Sequence, residues 1–194
     1  MASRTPNLFI KEQAADYLKL SVDIEPEEMV STQTVGDMTN IYALKTSTVQ
    51  FLEQRLKNVD CMDASACLLK TYPPQIIHEH THSCFISVKD QMICLTIYQK
   101  QDLLLHQIYA ISATEDVLYF VANSCKQLNL VAATTGIHVH GETAEVEQIV
   151  KILQPYYPGT RYITRIKDLQ YPDTLYATPA HYFFNLFSIF SCVL

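Results

Sequence analysis

A histidine-rich segment at residues 78–82 holds the side chains best suited to metal chemistry. Its letters are His-Glu-His-Thr-His, which satisfy the pattern H-E-x-x-H. On a helix this pattern places two imidazoles on one face, with the glutamate as the base of a zinc enzyme. A strand would instead align the three histidines with Cys84, because side chains alternate along a strand. The candidate metal ligands are therefore His78, His82 and Cys84.

The residues around this segment argue against the helical interpretation. Pro73 and Pro74 precede it closely, and the strand-like residues 85–88 (Phe-Ile-Ser-Val) follow it. A third ligand at helical spacing is missing. The sequence therefore favours a polar linker over a zinc enzyme, with incidental metal binding left open because short histidine tracts bind metals.

Two further histidines flank Val139 on a predicted strand. His138 and His140 would both point away from the face that carries Ile137 and Val139. Histidines on the less apolar face of a strand are most often exposed. We therefore expect these two to face solvent or the junction between two lobes.

Twelve tyrosines are many for a chain of 194 residues. Five of them fall in a stretch that is interrupted by prolines and carries little charge: Tyr156, Tyr157, Tyr162, Tyr171 and Tyr176. Tyrosine is enriched at protein interfaces because its ring is apolar and its hydroxyl is polar. The sequence therefore predicts a partner surface here, centred on Tyr156 and Tyr157.

The elements that must position these residues follow a mixed α/β order. The clearest stretch has three short alternating strands and then an amphipathic helix that starts near Thr114, where two acidic residues suit the helix dipole. A capping box is predicted at Ser47, with Gln50 three residues on. We predict helices at 8–20, 47–56, 63–69, 114–128, 143–153 and from 179 onward, and strands at 40–44, 83–89, 92–98, 103–109, 136–140 and 161–166.

Composition excludes several classes of function. The net charge of −6 is evenly spread, with seven basic and ten acidic residues both in 1–70 and in 71–194. Without a basic patch, neither nucleic acid nor an anionic membrane is expected as a partner. Six cysteines without a C-x-x-C pair, and no apolar run long enough to span a bilayer, indicate a cytoplasmic protein with free thiols.

Taken together, these residues resemble a bacterial family, domain-of-unknown-function family 3822. The likeness is strongest at residues 112–120 and 126–130 and at the closing residues 181–187, and residues 9–20 and 41–69 fit less specifically. The resemblance implies an actin-like ATPase-type fold, related to ribonuclease H. It also implies an N-terminal segment that this chain lacks, so the first lobe is expected to be incomplete.

The resemblance makes nucleotide binding the obvious hypothesis to weigh. Active members of the fold carry Asp-x-Gly in the first hairpin turn and a Gly-Gly pair near the adenosine. Here the turn contains Asp90 without a glycine, and the loop after the predicted strand contains Gly141 alone. A loop that wraps a phosphate needs glycines for close backbone approach. Asp90 and Gly141 are therefore the cofactor-binding candidates only if a nucleotide binds, and no cofactor is expected.

The sequence thus predicts a mixed sheet with flanking helices in the actin-like fold. Its expected organisation is a partial first lobe at 1–72, a histidine-rich linker at 73–82 and a second lobe at 83–194. We expect a protein-interaction or scaffold module without catalytic residues, which binds an unknown protein or itself. An ATP-binding protein or ATPase is the alternative, and a zinc-binding protein using residues 78–82 is a distant one.

Overall fold

The computed structural model describes residues 2–3, 9–76 and 80–193. The chain forms two compact units, Met1–Lys70 and Thr71–Leu194. Within the described residues, no helix combines the length and the apolar character needed to cross a bilayer.

The first unit is built on a small antiparallel sheet. Strands β1 (Ala2–Ser3), β2 (Glu28–Val35) and β3 (Met38–Lys45) lie in the order β1-β3-β2. The β2–β3 hairpin closes through a two-residue turn in which Gly36 has a φ of 59°. Helices α1 (Ala14–Lys19), α2 (Thr46–Glu53) and α3 (Ala64–Thr71) accompany the sheet.

One sequence expectation for this unit is wrong, and one of its strands was not predicted. Strand β2 lies where no strand was predicted, because Ser, Thr and Gln interrupt its apolar side chains. The capping box at Ser47 does not form, since α2 begins at Thr46 and its N-cap is Lys45, which makes no side-chain cap hydrogen bond. The hairpin strand that ends at Lys45 sets the start of this helix instead.

The second unit is built on a five-stranded mixed sheet with the order β6-β5-β4-β7-β8. Its strands are β4 (His82–Lys89), β5 (Met92–Gln99), β6 (Asp102–Ala110), β7 (Thr135–Gly141) and β8 (Thr160–Tyr162). The first three form an antiparallel meander through two-residue turns, whereas β7 pairs parallel to both β4 and β8. Parallel pairing needs long crossover connections. Helices α4 (Glu115–Gln127) and α5 (Glu145–Leu153) provide them, and α6 (Phe184–Val193) closes the unit.

One face of this sheet carries the main hydrophobic core. Ile86, Val139 and their alternating neighbours on β4, β5 and β7 pack against α4 and α5, whose inward residues include Val121 and Ile149. These apolar side chains recur every second residue on the strands and every three or four residues on the helices, as the sequence predicted. The mixed α/β class expected from the sequence is confirmed.

Candidate functional site

The opposite face of the sheet carries a cluster of five rings. Tyr72 stacks on Phe85 at 4.2 Å between ring centroids, and His138 stacks on Phe85 at 4.9 Å. Phe184 of α6 lies 6.2 Å from Tyr72 and 4.8 Å from His140. We call these five residues the ring cluster. It anchors the start of α6 to strands β4 and β7.

A buried hydrogen bond joins two members of the ring cluster. The hydroxyl of Tyr72 lies 2.8 Å from Nε2 of His140. Burial is the main cause that lowers the pKa of His140 to about 3, with His181 and His138 adding to it, and burial also raises the pKa of Tyr72 well above its ordinary value. Both groups are therefore neutral at pH 7 and closed to solvent, as is typical of a hydrogen bond in a protein core.

The sequence predicted the face of these histidines correctly but not their exposure. His138 is 2% exposed and His140 is fully buried, so the expectation that they face solvent is wrong. The alternation of side chains along β7 predicted which face of the sheet these histidines occupy. It could not tell that Tyr72 and Phe184, distant in sequence, would cover that face.

The metal-ligand candidates predicted from the sequence differ in their placement and surroundings. His78 and Glu79 lie outside the described residues. Cys84 is completely buried in the main core, and burial raises the pKa of its thiol well above the ordinary value, with Cys125 adding to the effect. A protonated core thiol is a poor metal ligand. Among the described residues, no three His, Cys, Asp or Glu side chains converge where a metal ion could be held.

The remaining histidines of the segment have structural surroundings. The ring of His80 lies against the backbone of Gly136 and Gly159, where a Cβ on Gly136 would come within 2.5 Å of the imidazole. Arg161 donates a hydrogen bond to Nε2 of His80 at 2.7 Å, so that nitrogen is already used as an acceptor. His82 begins β4, and burial lowers its pKa.

The two candidate nucleotide-binding residues lie at the same end of the neighbouring strands β4 and β7. Asp90 closes the β4–β5 turn with a φ of 50°, a left-handed conformation that Asp tolerates. Gly141 ends β7, pairs in register with Val88 and would place a Cβ 2.4 Å from the Val88 carbonyl oxygen. The amide of Gly141 donates to the carbonyl of His181 at 3.1 Å. Each residue therefore has a local structural role, and the Gly141 amide is engaged within the protein.

An apolar groove lies between α6 and the loop at residues 169–172. Its volume is about 400 Å³, and it is lined by Leu169, Gln170, Tyr171, Pro172, Leu186, Phe187 and Phe190. We call it the α6 groove. The ring of Tyr171 meets Phe187 edge-on at 4.9 Å and thereby joins the loop to the helix.

Arg165 holds the loop side of the α6 groove in place. Its guanidinium donates to the carbonyl of Leu175 at 2.8 Å and to that of Thr178 at 2.6 Å. It also lies 5.2 Å from the ring centroids of Tyr171 and Tyr176, within reach of a cation–π interaction. The groove wall is therefore fixed by contacts that already exist in the isolated chain.

Helix α6 carries apolar side chains on its outward face as well as on its inward face, where Phe184 is buried. Its inward residues include Ser188, which is fully buried and bonds to the Phe184 carbonyl. Its outward residues are apolar: Leu186 is 56% exposed, Ile189 38% and Phe190 51%. Surface helices normally turn their apolar stripe to the core. The outward stripe of α6 is therefore a candidate binding surface.

The tyrosines predicted as a partner surface divide between core and surface. Tyr157 is 6% exposed and packs in the main core, so it is not a surface residue. Tyr156 is 61% exposed just beyond the end of α5. Tyr171, from the same sequence cluster, lines the α6 groove. Sequence spacing could not separate these cases, because tyrosine occurs in both settings.

Comparison with known proteins identifies the fold and the family of the chain. A family model described as "Protein of unknown function (DUF3822)" matches residues 6–159. No curated protein sequence matches significantly. A Bacteroides thetaiotaomicron VPI-5482 protein with an actin-like ATPase fold and unknown function is similar over 99% of this chain and 69% of its own, with a TM-score of 0.81 at 18% identity.

A second solved structure shares the fold at lower similarity. A chain from the PilM-PilN type IV pilus biogenesis complex is similar over 97% of this chain and 75% of its own, with a TM-score of 0.58 at 7% identity. At such identities both likenesses establish the fold alone, and the expected actin-like fold is confirmed. The match over residues 6–159 shows in addition that the chain belongs to the DUF3822 family, whose function is unknown.

Proposed function

We propose that this protein is a non-catalytic binding module of actin-like fold, and that the α6 groove with the outward stripe of α6 is its protein-binding surface. The exposed apolar side chains on the outward face of α6 carry the proposal. A helix that buries Ser188 and exposes Leu186 and Phe190 keeps apolar area in water that a partner would cover. Fixed aromatic walls suit binding, because little conformational freedom is lost when a partner docks.

Two observations support a binding role. The groove is lined by Leu, Phe, Pro and Tyr, with Gln170 as its one amide side chain, and aromatic residues are enriched at the centres of interfaces. A protein of the same fold occurs in the PilM-PilN complex, so the fold is compatible with assembly.

The alternative is a nucleotide-binding function at Asp90 and Gly141. It is the weaker hypothesis because the amide of Gly141 already donates to His181, and Asp90 adopts the backbone conformation that its turn demands. The zinc hypothesis is weaker still, since Cys84 is a buried thiol.

Site-specific photo-crosslinking in the native host tests the proposed surface. A photoreactive residue at Leu186 should give a protein adduct, and Phe190→Asp in the same chain should abolish that adduct because it places a charge in the groove. The matched control carries the photoreactive residue at Tyr119, which is 64% exposed on α4. Equal labelling from both positions, or an adduct that persists with Phe190→Asp, would overturn the proposal.

A further inference from the structure

We infer that Cys94 is an oxidation-sensitive thiol, activated by His106 and Thr96, and that its co-reactant is a small hydroperoxide. Cys94 and Thr96 lie on β5 and His106 lies on β6. We call these three residues the thiol triad. None of them lines the α6 groove, so the inference assigns chemistry to a different part of the second unit and goes beyond the proposed function.

The register of the strands brings the thiol triad together. Thr96 pairs with His106 across β5 and β6, and Cys94 lies two residues before Thr96, so the three side chains project from one face of the sheet. Thr96 also pairs with Phe85, which places the triad on the face of the ring cluster. Strand β6 is an edge strand, and Cys94 and His106 are only half-buried. A small molecule can therefore reach the sulfur.

The imidazole of His106 contacts both other members of the thiol triad. Its Nδ1 lies 2.9 Å from the hydroxyl oxygen of Thr96, and its nitrogens Nδ1 and Nε2 lie 3.7 Å and 3.8 Å from the sulfur of Cys94. When Nδ1–H donates to Thr96, Nε2 is the acceptor nitrogen of the ring and can take the proton of the thiol. The two nitrogens share the charge of the resulting imidazolium, which stabilises the thiolate beside it.

Thr96 fixes the ring that takes the proton. Its side chain is fully buried, and its hydroxyl lies 3.9 Å from the sulfur of Cys94 as well as 2.9 Å from the imidazole. A nucleophile, a base and a third group that orients the base are the arrangement by which proteins activate a thiol. Thr96 is therefore the positioning residue of the triad.

The reaction with a hydroperoxide balances within the thiol triad. The thiolate attacks one oxygen of the hydroperoxide, so that the S–O bond forms and the O–O bond breaks. The leaving oxygen takes the proton that His106 received from the thiol, and it departs as water or as an alcohol. The sulfur is oxidised by two electrons to a sulfenic acid, the peroxide is reduced, and the imidazole is neutral again.

The other cysteines provide the contrast that the test needs. Cys84 and Cys125 lie in the main core, where burial raises the pKa of both thiols, so a folded chain keeps them unreactive. Cys61 is half-buried like Cys94 and serves as the matched control within the same molecule.

Trapping of sulfenic acid with dimedone, read by peptide mass spectrometry, tests the inference. The reduced, purified full chain is treated with hydrogen peroxide at pH 7. Cys94 should be labelled at least about tenfold faster than Cys61, because an ordinary thiol is only a few per cent thiolate at this pH. His106→Gln should remove that advantage. Thr96→Val should reduce it, whereas Thr96→Ser, which keeps the hydroxyl, should retain it.

Each other outcome has a defined meaning. Equal labelling of Cys94 and Cys61 in the wild type overturns the inference, and so does fast labelling of Cys94 that persists in His106→Gln. Labelling of Cys84 identifies a variant that has unfolded. The comparison of Thr96→Val with Thr96→Ser then decides, and equal rates for these two variants would remove Thr96 from the triad and overturn the inference as stated.

Discussion

At the residue scale, the bond between Tyr72 and His140 shows how a buried polar pair depends on both members. Each supplies the partner of the other at 2.8 Å, and Nδ1 of His140 is buried without a partner among the described residues. Losing the Tyr72 hydroxyl would leave Nε2 of His140 without a partner as well. Leaving a buried polar atom without a hydrogen bond costs more free energy than the hydrogen bond itself contributes to stability.

We therefore expect Tyr72→Phe to lower the free energy of unfolding by about 1–3 kcal/mol. Urea denaturation at pH 7 measures the effect. Tyr156→Phe removes a hydroxyl from an exposed ring and should change stability by less than about 0.5 kcal/mol. Equal effects of the two substitutions would show that the buried bond contributes nothing.

The buried histidines also predict how stability depends on pH. Burial is the main cause that lowers the pKa of His138 to about 4, helped by Arg161 and His80, while that of His140 falls to about 3. Both lie below the ordinary value of 6.5, so the unfolded chain binds protons that the folded chain refuses. Their contribution to stability is therefore complete above pH 6.5 and is lost as the pH falls towards 4 and 3.

Between pH 6.5 and 5 the free energy of unfolding should fall with a slope of up to about 2.7 kcal/mol per pH unit, when both histidines act. His138→Gln should remove about half of that slope, because one of the two titrating groups is gone. Urea unfolding at pH 7, 6 and 5 gives both slopes. The assignment fails if the variant and the wild type have the same pH dependence in this window.

At the element scale, α6 has a buried serine and an exposed leucine, so substituting the polar residue should destabilise the fold more than substituting the apolar one. We expect Ser188→Leu to destabilise the fold by about 1–3 kcal/mol, because a larger side chain must enter a fully packed position. Leu186→Ser should change stability by less than about 0.5 kcal/mol, since Leu186 is exposed. Thermal or urea unfolding of both variants measures these effects. A larger loss for Leu186→Ser would show that α6 is an ordinary amphipathic helix.

The elements also show where sequence reasoning succeeds. Strands β4, β5 and β6 could be predicted because large apolar residues alternate along them and short polar turns separate them. Strand β2 could not, since Ser, Thr and Gln interrupt its apolar side chains, although it pairs with β3 at eight registered positions. The last helix starts at Phe184, five residues beyond the predicted Pro179, and Phe184 packs there against Tyr72 and His140.

At the scale of the whole molecule, the fold could be recognised from sequence while the α6 groove could not. The order of strands and helices is encoded locally, in patterns of hydrophobicity. The α6 groove joins residues 169–172 to residues 186–190, and only the folded chain reveals which side chains of this apolar segment face outward. Of the tyrosine-rich stretch, Tyr171 lines the α6 groove, whereas Tyr157 lies in the core.

We expect calorimetric titration of Mg-ATP into the folded protein to show no saturable heat. The physical reason is the engaged amide of Gly141 and the lack of further glycines in that loop, which leave few backbone donors for a phosphate. Circular dichroism of the same sample confirms that the protein is folded. Saturable binding at micromolar concentrations would contradict this prediction and place the ATPase hypothesis first.

The two kinds of strand pairing in the five-stranded sheet have a consequence for the order of folding. The meander β4–β5–β6 closes through two-residue turns, so its contacts are local in sequence. Strand β7 pairs with β4 only after a segment of about fifty residues has closed a loop, and closing long loops costs more chain entropy. Local pairings form faster than distant ones. During refolding, the meander should therefore be the early structure against which β7, β8 and finally α6 assemble.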